Sequence, residues 1–495
     1  MRRLTFFLLV MVFAAGCEDM LDVEPESFTS PPEFYQTEDQ IEQAVTGAYG
    51  ELQTIYDPTT DFWAMTEMRS DNTSYQFNVS DRGEQQMEEL DEFLITPSNN
   101  DIEAVWSNIY SGILQTNMVL GRIGEVEFED EAREEQFRGE MHFLRAFHYF
   151  HLVRLYGGVP LVLEELETTD EAFSEKASVE EVYTQIVKDV NSATELLPER
   201  YSSGSDIGRA TKGAALTLLG EVHMTRGAFG EAITALEEVT RLDYELLDSY
   251  EEVFDPASKN HAESIFDVQF SAGIEDEESR FIYRFAPFNS GEDIIGFSDL
   301  STSEAGYNIP THDMVDAYEE GDARKEASIA FYVNAENSQF NVSIGDSIPF
   351  INKYNHDFEE RGRTDENWPV YRYSHVLLML AEALNEEGRA PEAHNYLNQV
   401  RERAGLSPVS NLSQSAFRDA VYHEQRVELA FENHRWFNLL RTGQALETMS
   451  QHGEEEKEYK ARLSGAAYEL QEYMLLYPIP EREVRLNDIE QNPGW

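Results

Sequence analysis

Cysteine occurs once in 495 residues, at Cys17. That excludes a disulfide within the chain and a cysteine-built metal knuckle. Basic residues are also scarce: 37 Lys and Arg stand against 95 Asp and Glu, for a formal net charge of −58. A surface of that sign repels phosphate backbones and anionic headgroups, which excludes nucleic acid and charge-driven membrane adhesion. No stretch reaches the roughly 18 consecutive apolar residues of a membrane-spanning helix. There is no Walker loop, no Gly-x-Ser-x-Gly elbow and no Gly-rich dinucleotide fingerprint. "HEQRV" (423–427) starts like a zinc-protease helix, but Val427 stands where the second histidine is required. Carboxylates are so abundant that no pair of them marks a glycosidase, whose acid and base are defined by their separation in space. With no nucleophile or metal constellation, the chain reads as a non-enzyme.

Hydrophobic residues make up 41% of the chain, enough for a large core, and the acid excess runs through every predicted helix. Such a surface keeps a protein soluble at high salt. The N-terminus carries the sharpest short signal. Arg2 and Arg3 precede an apolar run from Leu4 to Ala15, and small residues lead to Cys17. This is the pattern of a secretory signal peptide over 1–16, too short to span a bilayer. A lone cysteine at the cleavage point marks Cys17 as a lipid-acylation site. Residues 17–37 are acidic and proline-rich and read as a tether, leaving 38–495 as the folded domain.

Apolar periodicity predicts helices from Thr37 or Asp39 to about 56, then at 101–123, 131–156, 178–197, 210–226 and 229–241. Others follow at 371–387, 390–404, 415–432 and 434–447. Leu219-Gly220-x-x-His223 is followed by Gly227, Ala232 and Leu236; Leu380-Ala381-x-x-Leu384 is followed by Gly388, Ala393 and Leu397. The register is the same in both. Small residues there let two antiparallel helices approach, and the glycine permits the turn, as in tetratricopeptide repeats. Residues 250–370 differ: short β-like pieces such as "SIFDVQF" lie among Gly, Asn, Ser and Pro, with one helical stretch at 312–320. The expected fold is mostly α, with tetratricopeptide-like helix pairs and an irregular, loop-rich insertion of minor β content.

The segment "HYFHLVRLYGGVP" (148–160) sets two histidines three residues apart. On a helix they lie about 60° apart, on the stripe of Leu144 and Leu155, while Phe143, Phe147 and Phe150 form a second stripe. A helix apolar on two sides is sandwiched between layers. No carboxylate shares the histidine stripe, and zinc needs three or four ligands. Both histidines are therefore expected to be buried and hydrogen-bonded, with Gly157 as a left-handed cap.

Aromatic residues outside the helices point elsewhere. Trp63, Tyr75 and Phe77 lie in 57–82, beside Arg69, Asp71 and Asn72; Tyr283, Phe288 and Tyr307 lie in the insertion. Loops on a rigid scaffold carry binding functions, and aromatic faces beside polar groups suit sugar rings. These nine residues are the candidate ligand contacts. No cofactor pattern occurs; the acid-rich insertion leaves a bound Ca2+ open.

Five segments then carry a resemblance: "CEDMLDVEP" (17–25), "FRGEMHFLRAFHYFHLVRLYGGVPLVLE" (137–164), "PTHDMVDAYEEGDAR" (310–324), "VYHEQRVELAFENHRWFNLLRTGQ" (421–444) and "LYPIPEREVRLNDIEQNPGW" (476–495). In family order and across nearly the whole chain, they resemble SusD/RagB-family outer-membrane lipoproteins. The resemblance implies a helical domain with four tetratricopeptide-like units and a lipid anchor at the cell surface. It further implies a binder that captures a glycan, an oligosaccharide or a peptide and hands it to a SusC-like TonB-dependent transporter. Glu18 and Asp19 then look like an export cue. Glu428, Glu432 and Arg435 look like a charged helical ladder that positions Trp436. A scaffold that binds only protein partners is the alternative from a different class.

Overall fold

The computed structural model describes residues 34–495, apart from 78–83, 167–174, 202–203, 275–276, 289, 295–304, 334–346, 358–362, 461 and 488. The expected signal segment 1–16, Cys17, the expected export cue at Glu18 and Asp19 and most of the expected tether 17–37 lie outside the described residues.

Helix α1 (Glu38–Tyr56) starts where the Thr37 hydroxyl accepts the Gln40 N–H. A short α2 (Gln85–Asp91) precedes α3 (Asn100–Arg122), which Asn99 caps, and α4 (Glu131–Tyr156), which Asp130 caps. Ser178 and Glu181 form a reciprocal capping box at α5 (Val179–Leu196). Thr211 caps α6 (Lys212–Thr225), and α7 (Phe229–Val239) follows across a turn at Gly227. Each cap satisfies N–H groups that a helix start leaves without partners.

The two repeat signatures pack as their spacing requires. A Cβ at Gly220 would stand 2.4 Å from Leu236 Cδ2, so only glycine lets α6 and α7 close to this separation. Ala381 on α8 (Tyr373–Glu386) and Ala393 on α9 (Ala390–Arg403) are fully buried in the same way. Gly227 and Gly388, the turn residues, have φ of 69° and 74°. Neighbours run α3–α4–α5–α6–α7, and α7 then packs on α8 although the insertion separates them in sequence. The helical stack is thus continuous in space. The insertion leaves and re-enters it through an antiparallel ribbon of strands 264–268 and 368–372. Strands are few among the described residues: β1 (Thr73–Ser74), β2 (Ser264–Val268), β3 (Ile309–Pro310), β4 (Ile329–Val333), β5 (Ser347–Ile351) and β6 (Trp368–Arg372), paired β1–β3, β2–β6 and β4–β5. The mostly helical fold class holds.

Helix α4 is the buried centre: residues 143–160 are all inside. The His pair behaves only partly as expected. His151 accepts the Arg154 Nη2–H at Nδ1, 3.0 Å away, so its Nε2–H faces the Tyr56 hydroxyl at 3.2 Å. His148 finds no hydrogen-bond partner among the described residues; its ring fills the space left by Gly112, whose added Cβ would meet Nε2 at 2.3 Å. Close packing rather than hydrogen bonding holds it. Gly157 ends the helix with φ 75° and ψ −130°, positive but outside the left-handed helical region. The chain leaves extended because it runs beside 176–177, where Val159 O accepts the Ala177 N–H. Gly158 is needed for that approach: a Cβ would stand 2.4 Å from Ala177 O.

The C-terminal signature also departs from expectation. α10 (Gln414–Glu428) stops at Glu428, and Phe431 and Asn433, both at φ 67°, turn the chain before α11 (Arg435–Arg441). Glu428, Glu432 and Arg435 therefore make no helical ladder, and each finds a distant partner. Arg372 donates to Glu428 at 3.0 Å, to Glu432 at 2.8 Å and to Glu263 at 2.8 Å, all fully buried. Lys353 adds a 2.6 Å bond to Glu432, and Arg324 a 3.1 Å bond to Glu428. These ions tie the insertion to α10. After Gly443 a further helix, α12 (Ala445–Tyr459), replaces the expected single helix to 447. Trp436 is fully buried, as anticipated.

Candidate functional site

The early loop and the insertion, far apart in sequence, form one face. β1 pairs with β3, and beyond it the Gln76 N–H donates to Gly306 O at 2.7 Å while Gln76 Oε1 accepts the Phe288 N–H at 2.6 Å. Thr73 donates to Asn308 Oδ1 at 2.6 Å. Gly306 takes φ 87° where the two segments cross, with Gln76 and Phe288 too close for most side chains.

Five of the nine candidates prove to be buried framework. Trp63 donates its indole N–H to Pro58 O at 2.9 Å and packs edge-on against Phe285. Arg69 is fully buried between the Phe93 and Tyr477 rings, 4.0 and 4.4 Å from their centres, and donates to Leu90 O and Met474 O. Asp71 is gripped by Arg435 and Arg426. Burial opposes its ionisation, but the two guanidinium groups outweigh that and hold the carboxyl below its usual range. Asn72 donates to Glu67 at 2.8 Å and accepts from Arg426 at 2.9 Å. Glu67 also accepts the N–H groups of Phe431 and Asn433; burial lifts its carboxyl to about 7 despite these bonds. Tyr75, fully buried, donates to Glu92. These five side chains are buried and bonded within the protein, where they hold the loop in shape. Tyr283 and Phe288 are also buried, Tyr283 in a small separate core with Ile282, Tyr332 and Phe350.

Phe77 and Tyr307 are different: both are half-buried and lie on adjacent crossing segments. Arg462 lies over the Phe77 ring at 3.7 Å and pairs with Glu92 at 3.3 Å. Arg284 lies 5.7 Å from the Tyr307 ring centre and pairs with Glu84 at 2.7 Å. Each ring is thus backed by an arginine and a glutamate. Asp61 and Asp101 complete the Arg284 neighbourhood. Burial first, then each carboxylate's acidic neighbours, raise both, Asp101 to about 6. Beside Arg462, the exposed Tyr459 at the end of α12 stacks on His312 at 4.2 Å with an interplanar angle of 13°.

Such a face offers flat apolar rings flanked by fixed charged donors and acceptors, a combination whose chemistry suits a polyhydroxylated ring. Sequence reading missed Arg284, Glu84, Arg462, His312 and Tyr459. Arg284 had a signal, lying within "FIYRFAPF" among the named aromatics. Arg462 and Tyr459 had none, being brought in from the far end of the chain. No group of three or more His, Cys, Asp or Glu among the described residues is arranged to hold a metal ion. Nor is any described helix long and apolar enough to cross a membrane.

The SusD family model matches residues 262–495, and a second model, described as starch-binding and associating with the outer membrane, matches 19–224. SusD-like protein P2 of Formosa agariphila is 26% identical, with 100% of this chain and 99% of that protein aligned. A laminarin-binding SusD-like protein of known structure superposes with a TM-score of 0.76 at 28% identity, over 93% of this chain and all of the other. Surface glycan-binding protein A of Bacteroides thetaiotaomicron, solved with laminarihexaose, has the same fold, with a TM-score of 0.75 at 20% identity over 92% and 100% of the two chains. On this evidence the chain belongs to the SusD/RagB family of SusD-like proteins.

Proposed function

We propose that this chain is a lipid-anchored binding protein of the outer-membrane surface. It captures a polysaccharide or oligosaccharide on the loop face and passes it, uncleaved, to a SusC-like TonB-dependent transporter. The observation that carries this reading is the duplicated arrangement of a half-buried ring, an arginine and a glutamate: Tyr307–Arg284–Glu84 and Phe77–Arg462–Glu92. The rings supply stacking surfaces and the ion pairs supply oriented donors and acceptors, while no step of the arrangement requires bond cleavage. The laminarin-binding relative supports a glucan or a similar neutral glycan as the ligand. The acylated Cys17 would hold the domain at the membrane, and the acidic tether would give it reach.

The test is binding of the full chain, in detergent micelles, to a panel of glycans and peptides, followed by chromatography of the ligand after long incubation. The reading expects saturable glycan binding with the ligand recovered intact, and co-purification of a TonB-dependent transporter from the native membrane. Shortened glycan products, or binding to peptides alone, would overturn it.

A further inference from the structure

A second recess lies away from the loop face, among elements that the site above does not use. It is a cleft of about 650 Å³ between the α5–α6 connection, the segment that follows α7, and β2. That volume falls within the range of small-ligand sites. Its floor is Asp267, buried on β2; Ser264 donates to one carboxyl oxygen, and the other has no hydrogen-bond partner among the described residues. Its mouth is the exposed pair Arg200–Asp243, bonded at 2.6 Å. One wall is Tyr244, whose hydroxyl meets Thr211 Oγ1 at 3.1 Å. Tyr244 lies so close to Gly213 that a Cβ there would be 2.3 Å from its oxygen. Ile207, 56% exposed, forms an apolar rim.

The lining decides the class of occupant. The lining carries both signs of charge: the carboxylates Glu199, Asp243 and Asp267 and the guanidinium groups Arg200 and Arg209. Arg209 is itself held by Glu140 at 3.0 Å. An anion entering would meet the carboxylates, and a cation would meet the guanidinium groups. Each is rejected by desolvation and like-charge repulsion. A ligand rich in hydroxyls, which donate and accept at many points without net charge, meets no such penalty. It would also give the bare Asp267 oxygen the donor it lacks. The Tyr244 wall and the Ile207 rim suit the C–H faces of a sugar.

We propose that this cleft is a second saccharide site, selective for uncharged sugar residues, so that one chain grips a polymer at two separate places. The inference rests on the reading of the protein as a glycan binder. Two linked sites make the second contact intramolecular, so a polymer long enough to reach both is held about 10²-fold more tightly than a short oligomer.

The test uses calorimetry of the full chain with neutral hexasaccharides, laminarihexaose among them, and with the matching polymers. Ile207→Trp and Ala262→Trp fill the mouth from exposed positions and are expected to leave the melting temperature unchanged. The expected result is two hexasaccharides per chain. One remains in either tryptophan variant, and one remains in the Phe77→Ala/Tyr307→Ala double variant. Polymer affinity falls at least tenfold when the cleft is filled. A single hexasaccharide that the double variant loses and the tryptophan variants keep would overturn the second site and leave the loop face standing. No binding of any glycan would overturn both.

Discussion

Asp71 and Arg435 face each other through two parallel bonds, Nε to Oδ1 at 2.7 Å and Nη2 to Oδ2 at 2.8 Å. The pair joins the early loop to α11 across 364 residues of sequence. Arg426 adds a third contact at 3.0 Å, and Asp71 is buried. The loop that bears Phe77 is therefore clamped to the C-terminal signature.

Removing one member of such a pair strands a buried charge. Arg435→Met is expected to cost about 3–5 kcal/mol of unfolding free energy, within the range for broken buried ion pairs. Denaturant melts of the variant and the parent check this. Asp71→Asn should cost at least as much, because it takes the carboxylate from both Arg435 and Arg426.

The same pair has a pH signature. The Asp71 carboxyl is held below its usual range, so its contribution to stability is complete above the unfolded-state value near 4. It is lost as pH falls through the depressed folded value. Buried histidines act at higher pH. Burial lowers His148 to about 3, and His151, His375 and His434 are lowered too. The unfolded chain takes up protons near pH 6.5 that the folded chain refuses, so stability is full above that value and declines as pH falls below it. Each histidine contributes a slope of up to ~1.4 kcal/mol per pH unit. His148→Phe should lower the slope between pH 6 and 4 by one proton, read from urea melts at stepped pH.

Gly112 is expected to tolerate no side chain. Gly112→Ala places a Cβ 2.3 Å from His148 Nε2, and a ring wedged in the core cannot swing aside as a flexible chain could. A loss of about 1–3 kcal/mol follows for such overpacking. Gly47→Ala, on α1 with open space around it, should be neutral or stabilising by a few tenths. Thermal melts of the two variants side by side check the contrast.

What was legible in the sequence was local. The repeat register at Gly220, Ala232, Ala381 and Ala393 could be read because close helix approach demands small residues at fixed spacing, and those contacts formed. The cap at Thr37 could be read because a hydroxyl just before an apolar-periodic run can accept a first-turn N–H. The partners of Glu428 and Glu432 could not, because Arg324, Lys353 and Arg372 come from distant parts of the chain and the spacing of the two glutamates mimics a helical ladder. Asn433 falls at the expected break between 415–432 and 434–447, but Phe431 carried no warning that the helix ends earlier, at Glu428. Of the loop aromatics named from the sequence, Phe77 and Tyr307 are half-buried, while Trp63, Tyr283 and Phe288 are buried. Long loops must bury apolar area of their own to stay folded: Trp63 packs on Phe285, Tyr283 clusters with Phe350, and Phe288 with Ile309 and Ile348. Arg462 was invisible because only tertiary folding carries it 385 residues back to Phe77.

Within the site, the two rings should act as independent stacking surfaces. Phe77→Ala and Tyr307→Ala are each expected to weaken glycan binding three- to tenfold, as for the loss of ~0.5–1.5 kcal/mol of aromatic contact. Arg284→Lys, which keeps the charge but not the planar guanidinium that pairs with Glu84, should weaken it in the same direction. Unchanged melting temperatures would separate these losses from unfolding.

The most direct measurement is calorimetric titration of the full chain with a neutral glycan panel, on the parent and on the Phe77→Ala/Tyr307→Ala double variant, with the recovered ligand sized afterwards. The account predicts saturable binding by the parent, at least tenfold weaker binding at the loop face in the double variant, and glycan returned at its original length. Equal loop-face affinity in the two proteins, or a shortened glycan, would contradict it.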